Sequence, residues 1–472
     1  MAQPGSPGGT GRGDVLVVFG ITGDLAKVMT FRSLYRLESR GLLDCPVVGV
    51  AVDDWTEEQL VNRARESIEG TGEALDEPTF ARLAARLSYV QGDFSDAATY
   101  QRLAEAIKGA ELPVYYLEVP PFLFGTVAKG LAGAGLVQRG RLVVEKPFGH
   151  DLASAQALAG ELHQYVDESQ ILRIDHYLGK FGLAQILYLR FSNPMLEAVW
   201  NRNYLSSVQI TMAETFGVAD RGHFYDPVGA LRDVVVNHLL QVVSAAAMEA
   251  PAARDRDSVK DAQVSLLKSV AAADPARYVR GQYDGYLDVG GVAAGSSTET
   301  FAALELRIHN WRWDRVPFRI RAGKCLAATQ TELRLVFKEP PYIGLDLRGD
   351  GQPTRDQVVV RLDPSTGVRV VLDARRATAL EPEPITLDML FADEGGEGPT
   401  PYEVLLNAAL SGQTLVFTRQ DEVEQQWRIM QPLLDAHPPV HPYAPGSWGP
   451  EAVDELVRGT GWLGPWLSPD QS

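Results

Sequence analysis

The chain has 472 residues, 45% hydrophobic and 22% charged, which is globular usage with enough apolar material for a sizeable core. With 44 Lys+Arg against 61 Asp+Glu its net charge is −17, a field that argues against broad binding to nucleic acid or to an anionic membrane. The two cysteines, Cys45 and Cys325, exclude a disulfide framework and a cysteine-rich metal site and fit a reducing, cytoplasmic setting.

The Gly/Pro/Ser-rich start predicts a disordered lead-in over residues 1–13, with no apolar segment of a signal peptide or anchor. The longest apolar stretch, Val234 to Met248, is interrupted by Asn237, His238, Gln241 and Ser244, so no membrane span is expected. VLVVFG (Val15 to Gly20) is a continuous apolar run of strand length, as a strand buried on both faces requires. A helical pattern follows it and stops at Gly41. Strand and helix patterns then alternate: PVVGVAV, helices over 56–70 and 78–88, LSYVQGD, YQRLAEAIKG, VYYLEVP, FGTVAKGLAGAGL and RLVVEKPFG. This βαβ alternation predicts a Rossmann-like, doubly wound parallel sheet over residues 14–175.

Beyond residue 175 the texture changes. SVQITMAE, TFAALELRI, PFRIRAG, ELRLVFK, DQVVVRLD and GVRVVLD alternate as strands do and are separated by turn residues. They predict an α+β domain over 176–472 with a large, mostly antiparallel sheet, on which helical stretches 179–192, 228–248 and 402–435 pack. Residues 344–356 and 393–401 read as loops.

Four segments carry candidate chemistry. Gly20, Thr22, Gly23, Asp24 and Leu25 form a strand–glycine turn–helix, where glycines admit a pyrophosphate and the helix N-terminus supplies amide donors. The spacing is GxxG, and such turns also occur at purely structural joints. Lys146 lies in Glu145-Lys146-Pro147 at a strand's carboxyl end, where open α/β sheets bind ligands; a surface lysine before a proline turn is the equal alternative. In Asp175-His176-Tyr177-Leu178-Gly179-Lys180, a helix starting at Asp175 would put His176 and Lys180 on one face, as two donors for a phosphate. Asp175 would then serve as a cap or orient a histidine elsewhere. Arg232, Asp233, Asn237 and His238 interrupt an apolar helical pattern, and burying them unpaired would cost several kcal/mol in the apolar extreme, roughly 4–8 for an amide or hydroxyl. Their clustering favours a cleft-lining role. Glu214 and Lys324 each stand at a strand end, and none of the remaining histidines shows metal-ligand spacing.

Taken in order, GITGDLAK, VVEKPFG, RIDHYLGK, DPVGALRDVVVNHLLQ, WRWDRVPFRIRAGK and WRIMQPLLDA resemble the glucose-6-phosphate dehydrogenase family. The resemblance implies oxidation of glucose 6-phosphate at C1, hydride transfer to NADP, and a homodimer or homotetramer. It makes His238 the general base and Asp175 the carboxylate that orients it. It makes His176 and Lys180 the phosphate-binding pair with Tyr177 beside them. Glu214 and Asp233 would bind sugar hydroxyls, Lys146 would lie between sugar and nicotinamide, and Lys324 would be a further substrate lysine.

Three positions depart from the family pattern. Val52, followed by Asp53 and Asp54, stands where NADP-using members carry an arginine. An acidic residue there holds an unphosphorylated ribose, so NAD is the alternative cofactor and Asp53 its candidate ligand. Phe181 and Thr329 replace a common glutamate and a common basic residue. Two other readings remain open: another Rossmann sugar dehydrogenase, and a non-catalytic sugar-phosphate or nucleotide sensor.

Overall fold

The computed structural model describes residues 11–253, 255–340, 355–378, 382–391, 398–457 and 461–467. The expected lead-in lies outside the described residues up to residue 10, as do most of the expected loops 344–356 and 393–401. The last residues of that lead-in are held: Gly13 N donates to Leu410 O at 2.6 Å and Arg12 Nε to Asp44 at 2.7 Å. The chain divides into two compact units, Met1–Gly179 with Pro399–Glu424, and Lys180–Gly398 with Gln425–Ser472.

The first unit is the expected doubly wound sheet. Its strands are β1 (Val15–Phe19), β2 (Val47–Ala51), β3 (Leu87–Gln91), β4 (Pro113–Leu117), β5 (Arg141–Glu145) and β6 (Ile171–Ile174), all parallel, in the order β3-β2-β1-β4-β5-β6. The order reverses between β1 and β4, so the ligand crevice of such a sheet lies at their carboxyl ends. β1 shows why apolar runs form these strands: Leu16 and Val18 enter one core while Val15, Val17 and Phe19 enter the other. Helices Phe31–Ser39, Glu57–Glu69 and Glu77–Ala84 close the first core, and Ala97–Ala106, Phe124–Gly133 and Leu152–Leu162 the second.

The sequence pattern assigns the stretch 402–435 to the antiparallel sheet. Helix Pro401–Ser411 instead places Leu405, Leu406, Ala409 and Leu410 in the first unit's core. Periodicity defines an apolar face but not the surface it meets. Polar contacts fix this docking: Glu403 takes Arg36 and Arg40, and Arg141 donates to Ala409 O and Leu410 O at 2.9 and 3.0 Å.

The second unit holds a nine-stranded sheet of β7 (Leu205–Ala213), β8 (Tyr278–Tyr283), β9 (Phe301–Leu306), β10 (Phe318–Gly323), β11 (Gln330–Phe337), β12 (Gln357–Asp363), β13 (Gly367–Ala374), β14 (Glu383–Leu390) and β15 (Val440–Tyr443). Its order is β14-β13-β12-β11-β7-β10-β9-β8-β15, antiparallel except at β7–β10 and β8–β15. The expected alternation of buried and exposed residues fails in the middle, where β9 and β10 are buried throughout. The polar residues of this region are covered by residues 461–467: Arg334 Nη2 donates to Gly464 O at 2.6 Å, Trp466 N to Glu332 at 2.8 Å, and Arg321 lies between the rings of Trp448 and Trp462.

A continuous helical segment, Leu231–Leu239 then Leu240–Ala247, packs in this unit. Its terminal carbonyls, which no helical amide can reach, are satisfied by buried side chains: Arg190 takes Ala245 O and Met248 O, Trp200 takes Ala246 O and Trp313 takes Ala247 O. Among the described residues, no helix is long and apolar enough to cross a membrane.

Candidate active site

In the first unit the glycine turn leaves β1 at its carboxyl end. Gly20 has φ +85°, and a Cβ there would lie 2.3 Å from Glu118 O, so both conformation and space demand glycine. Gly23 N donates to Gly20 O at 2.9 Å, and the helical backbone begins at Asp24 and Leu25. Gly23 and Asp24 are exposed, so the first amides of the helix are open to an anionic ligand. This cradle fits a dinucleotide pyrophosphate. The helix then runs through a π turn at Ala26–Thr30, a deviation that sequence periodicity does not reveal.

Thr22 reaches the end of β2, where its hydroxyl donates to Asp53 Oδ2 at 2.6 Å. The Tyr89 hydroxyl donates to Asp53 O at 2.7 Å. Val52 is 57% exposed and Asp54 is exposed, so the edge beyond β2 is acidic and apolar rather than basic.

Two acids missed by the sequence reading, Glu145 buried and Glu118 half-buried, stand at neighbouring strand ends. Glu118 follows β4 and accepts from the Thr30 hydroxyl of the π turn. Burial pushes its carboxyl up to about 8, the Thr30 bond opposing and the charge of Glu145 adding to the shift. Glu145 ends β5, directly before Lys146, and accepts from the Tyr116 hydroxyl at 2.6 Å. Burial pushes its carboxyl up to about 7, against that hydrogen bond and the charge of Lys146. The only sequence signal for either was a carboxylate closing a buried apolar strand.

Asp175 follows β6 and is 2% exposed. Its Oδ1 accepts from Tyr177 N at 3.0 Å, and the rings of His176 and Tyr177 meet edge to face at 5.5 Å. The expected single helix from Asp175 to Lys180 does not form. His176–Gly179 is a 3₁₀ turn, and Lys180 is extended (φ −73°, ψ 131°) before a separate helix, Phe181–Phe191. His176 and Lys180 therefore do not share one face of an α-helix as expected. Gly179 packs so closely that a Cβ would lie 2.6 Å from Pro401 O, and this contact belongs to the tight turn.

In the second unit, Lys180 Nζ is 3.2 Å from Asp363 Oδ2 at the end of β12. Glu214 and Lys324 follow the paired strands β7 and β10, and Lys324 Nζ donates to Glu214 Oε2 at 2.6 Å. The rings of Phe216 and Tyr225 flank the ammonium at 5.1 and 5.4 Å. Thr329 Oγ1 accepts from Thr215 N at 3.0 Å. Leu231–Leu239 is a π-helix, with i→i+5 hydrogen bonds. That winding brings Asp233 and His238, five apart, toward one side, whereas a 3.6-residue turn would separate them. His238 is 3% exposed. Each unit thus presents part of the expected set: an anion cradle, Lys146, Asp175, His176 and Tyr177 in one, and Lys180, Glu214, Asp233, His238 and Lys324 in the other.

Comparison with known proteins covers nearly the whole chain. A family model described as glucose-6-phosphate dehydrogenase, NAD binding domain, matches residues 17–183, and one described as the C-terminal domain of the same family matches residues 187–464. The chain is 51% identical over 462 residues to glucose-6-phosphate 1-dehydrogenase 1 of Mycobacterium tuberculosis, covering 98% of each. It is 35% identical over 473 residues to the cytoplasmic glucose-6-phosphate 1-dehydrogenase 6 of Arabidopsis thaliana, covering 95% of this chain and 91% of that one. The crystal structure of the Mycobacterium avium enzyme superposes with a TM-score of 0.92 at 48% identity, over 97% of this chain and all (100%) of that one. A glucose-6-phosphate dehydrogenase in complex with glucose 6-phosphate gives 0.87 at 32% identity, over 96% and 99%.

Proposed function

The chain belongs to the glucose-6-phosphate dehydrogenase family, and from that premise we propose how its own residues carry the family reaction. The protein is a glucose-6-phosphate 1-dehydrogenase, an NAD(P)-dependent oxidoreductase that oxidises glucose 6-phosphate at C1 to 6-phosphoglucono-1,5-lactone, the first step of the oxidative pentose phosphate pathway. The observation that carries this is the 51% identity to such an enzyme over 98% of both chains.

The residue roles are our reading. A bound nicotinamide dinucleotide supplies the hydride acceptor. His238 takes the proton of the C1 hydroxyl, and histidine suits this because its ordinary pKa lies near neutrality. Asp175 orients that imidazole and offsets its charge once protonated, as the acid of a catalytic triad does. Lys180, His176 and Tyr177 hold the phosphate dianion in a protein whose net charge of −17 would otherwise repel it. Glu214 and Asp233 accept from sugar hydroxyls, and Lys324 holds Glu214 in place for this, which their 2.6 Å bond supports. Lys146, Gly20, Thr22, Gly23, Asp24 and Leu25 face the dinucleotide.

For the cofactor we propose NADP with substantial use of NAD. The acidic edge of Asp53 and Asp54 beside Val52, with Asp53 held by Thr22, supports the second part. We further propose a cytoplasmic homo-oligomer. The free cysteines fit a reducing compartment, and Leu372, Leu387, Met389 and Leu390 of β13 and β14 are 40–63% exposed, an apolar edge suited to a second copy. The direct test is formation of reduced dinucleotide from glucose 6-phosphate with each cofactor in one buffer. Turnover with both supports the reading, and turnover with neither overturns it.

A further inference from the structure

Arg63 stands apart from the other arginines of the helices that close the first core. Arg32, Arg36, Arg65 and Arg82 each pair with a carboxylate. Arg63 is half-buried and pairs with none among the described residues. Its Nε is buried without a hydrogen-bond partner, and its guanidinium lies 5.9 Å from the centroid of the Trp55 ring. A guanidinium keeps its charge throughout the pH range of a folded protein, so a partly buried one with no carboxylate beside it favours an anionic ligand.

Helix packing places that charge. Helix Glu57–Glu69 and the helix that opens at Asp24 both start from strand ends on the ligand edge, after β2 and β1. The Ser67 hydroxyl donates to Lys27 O, which fixes one helix against the other. Arg63 lies one turn before Ser67 on the same face, and Gly23 lies one turn before Lys27, each about 6 Å nearer the ligand edge at ~1.5 Å per residue. Arg63 is therefore level with the glycine turn. Helical side chains lean toward the N-terminus, and the contact with Trp55, which precedes the helix, directs the guanidinium to the same edge. Trp55 is held there: its ring packs on the first core, and its N donates to Asp53 O at 2.9 Å.

We propose that Arg63 is a cofactor-specificity residue: its guanidinium, seated on Trp55, meets the 2′-phosphate of NADP and supplies the cation that Val52 does not. The adenine ribose of a dinucleotide on such a sheet lies at the end of β2, beside Asp53. Asp53 holds the ribose of NAD and Arg63 draws the phosphate of NADP, so one edge serves both cofactors. The proposal rests on the dehydrogenase reading, which puts a nicotinamide dinucleotide on the glycine turn.

The test compares the two dinucleotides in the full-length enzyme. Wild-type turnover of glucose 6-phosphate is measured first; turnover with neither cofactor overturns the family reading and this proposal with it. Arg63→Gln should raise KM for NADP at least about tenfold and change KM for NAD less than about twofold. Calorimetry with adenosine fragments probes the same contact without turnover. Adenosine 2′,5′-bisphosphate should bind at least about tenfold more weakly to Arg63→Gln than to wild type, and adenosine 5′-monophosphate equally to both. Arg63→Lys keeps the charge without the planar fork and should raise KM for NADP alone, by about threefold; it also stands in if Arg63→Gln does not fold. With the wild type active, equal losses for both dinucleotides, no loss for NADP and the bisphosphate, or use of NAD alone overturns the role of Arg63 and leaves the family reading intact.

Discussion

The Thr22 hydroxyl donates to Asp53 Oδ2 at 2.6 Å, joining the glycine turn after β1 to the end of β2. Gly49 of β2 lies so close to Ile21 that a Cβ would stand 2.6 Å from its Cγ2, so the two strand ends are also packed tightly. The carboxylate is thus held at the edge where a Rossmann sheet meets the adenine ribose, and Val52 beside it offers no cation.

Removing that charge should favour the phosphorylated cofactor. Asp53→Ser is expected to raise the ratio of kcat/KM for NADP over NAD by about tenfold, the factor that ~1.4 kcal/mol of lost repulsion gives. Steady-state kinetics with both cofactors checks it. An unchanged ratio would place the discrimination elsewhere.

Lys180 and Asp363 form a half-exposed pair at 3.2 Å, with side chains 20% and 40% exposed. Such pairs contribute about 0–1 kcal/mol to stability, so breaking this one should barely change Tm. Its effect on ligand binding should be visible, because Asp363 offsets the charge that Lys180 offers a phosphate. Asp363→Asn should lower KM for glucose 6-phosphate by about twofold to fivefold, the range that up to ~1 kcal/mol allows. Lys180→Met should raise it by more than about tenfold. A rise in KM with Asp363→Asn would show that the carboxylate positions Lys180 rather than competes for it.

Glu118 makes stability depend on pH. Burial raises its carboxyl from the ordinary 4.5 to about 8, so the folded chain keeps a proton that the unfolded chain releases. Stability should therefore fall as pH rises from about 4.5 toward about 8, with the folded state losing on the order of a few kcal/mol from this group. Glu118→Gln, neutral at every pH, should flatten that slope and raise Tm above wild type at the alkaline end. Thermal unfolding of both proteins across the window measures this. Parallel curves would mean that Glu118 is ionised in the fold.

The parallel sheet was legible because strands buried on both faces read as unbroken apolar runs, as VLVVF does in β1. Gly20 was legible because only glycine tolerates its φ and its contact with Glu118. The edge strands were not. β15 carries Pro442 in four residues, and β14 leaves nearly all its side chains exposed, so neither shows the expected pattern. Helix Pro401–Ser411 showed its apolar face but not the core that receives it. The π segments at Ala26–Thr30 and Leu231–Leu239 left no trace, since their composition is ordinary helix. The roles of the motif residues are proposed from their kind and order. The Tyr116 hydroxyl on Glu145, and Asp363 facing Lys180, come from distant segments that no local spacing connects.

The role that matters most to the proposed reaction is that of His238 as the base for the C1 hydroxyl. The direct measurement is turnover of glucose 6-phosphate by wild type and His238→Asn, with substrate affinity measured on both by calorimetry. A general base contributes about 10²–10⁴-fold, so kcat should fall by roughly 10³-fold while the affinity for glucose 6-phosphate changes little. Turnover by His238→Asn at the wild-type rate would contradict the assignment and require another group to take the proton.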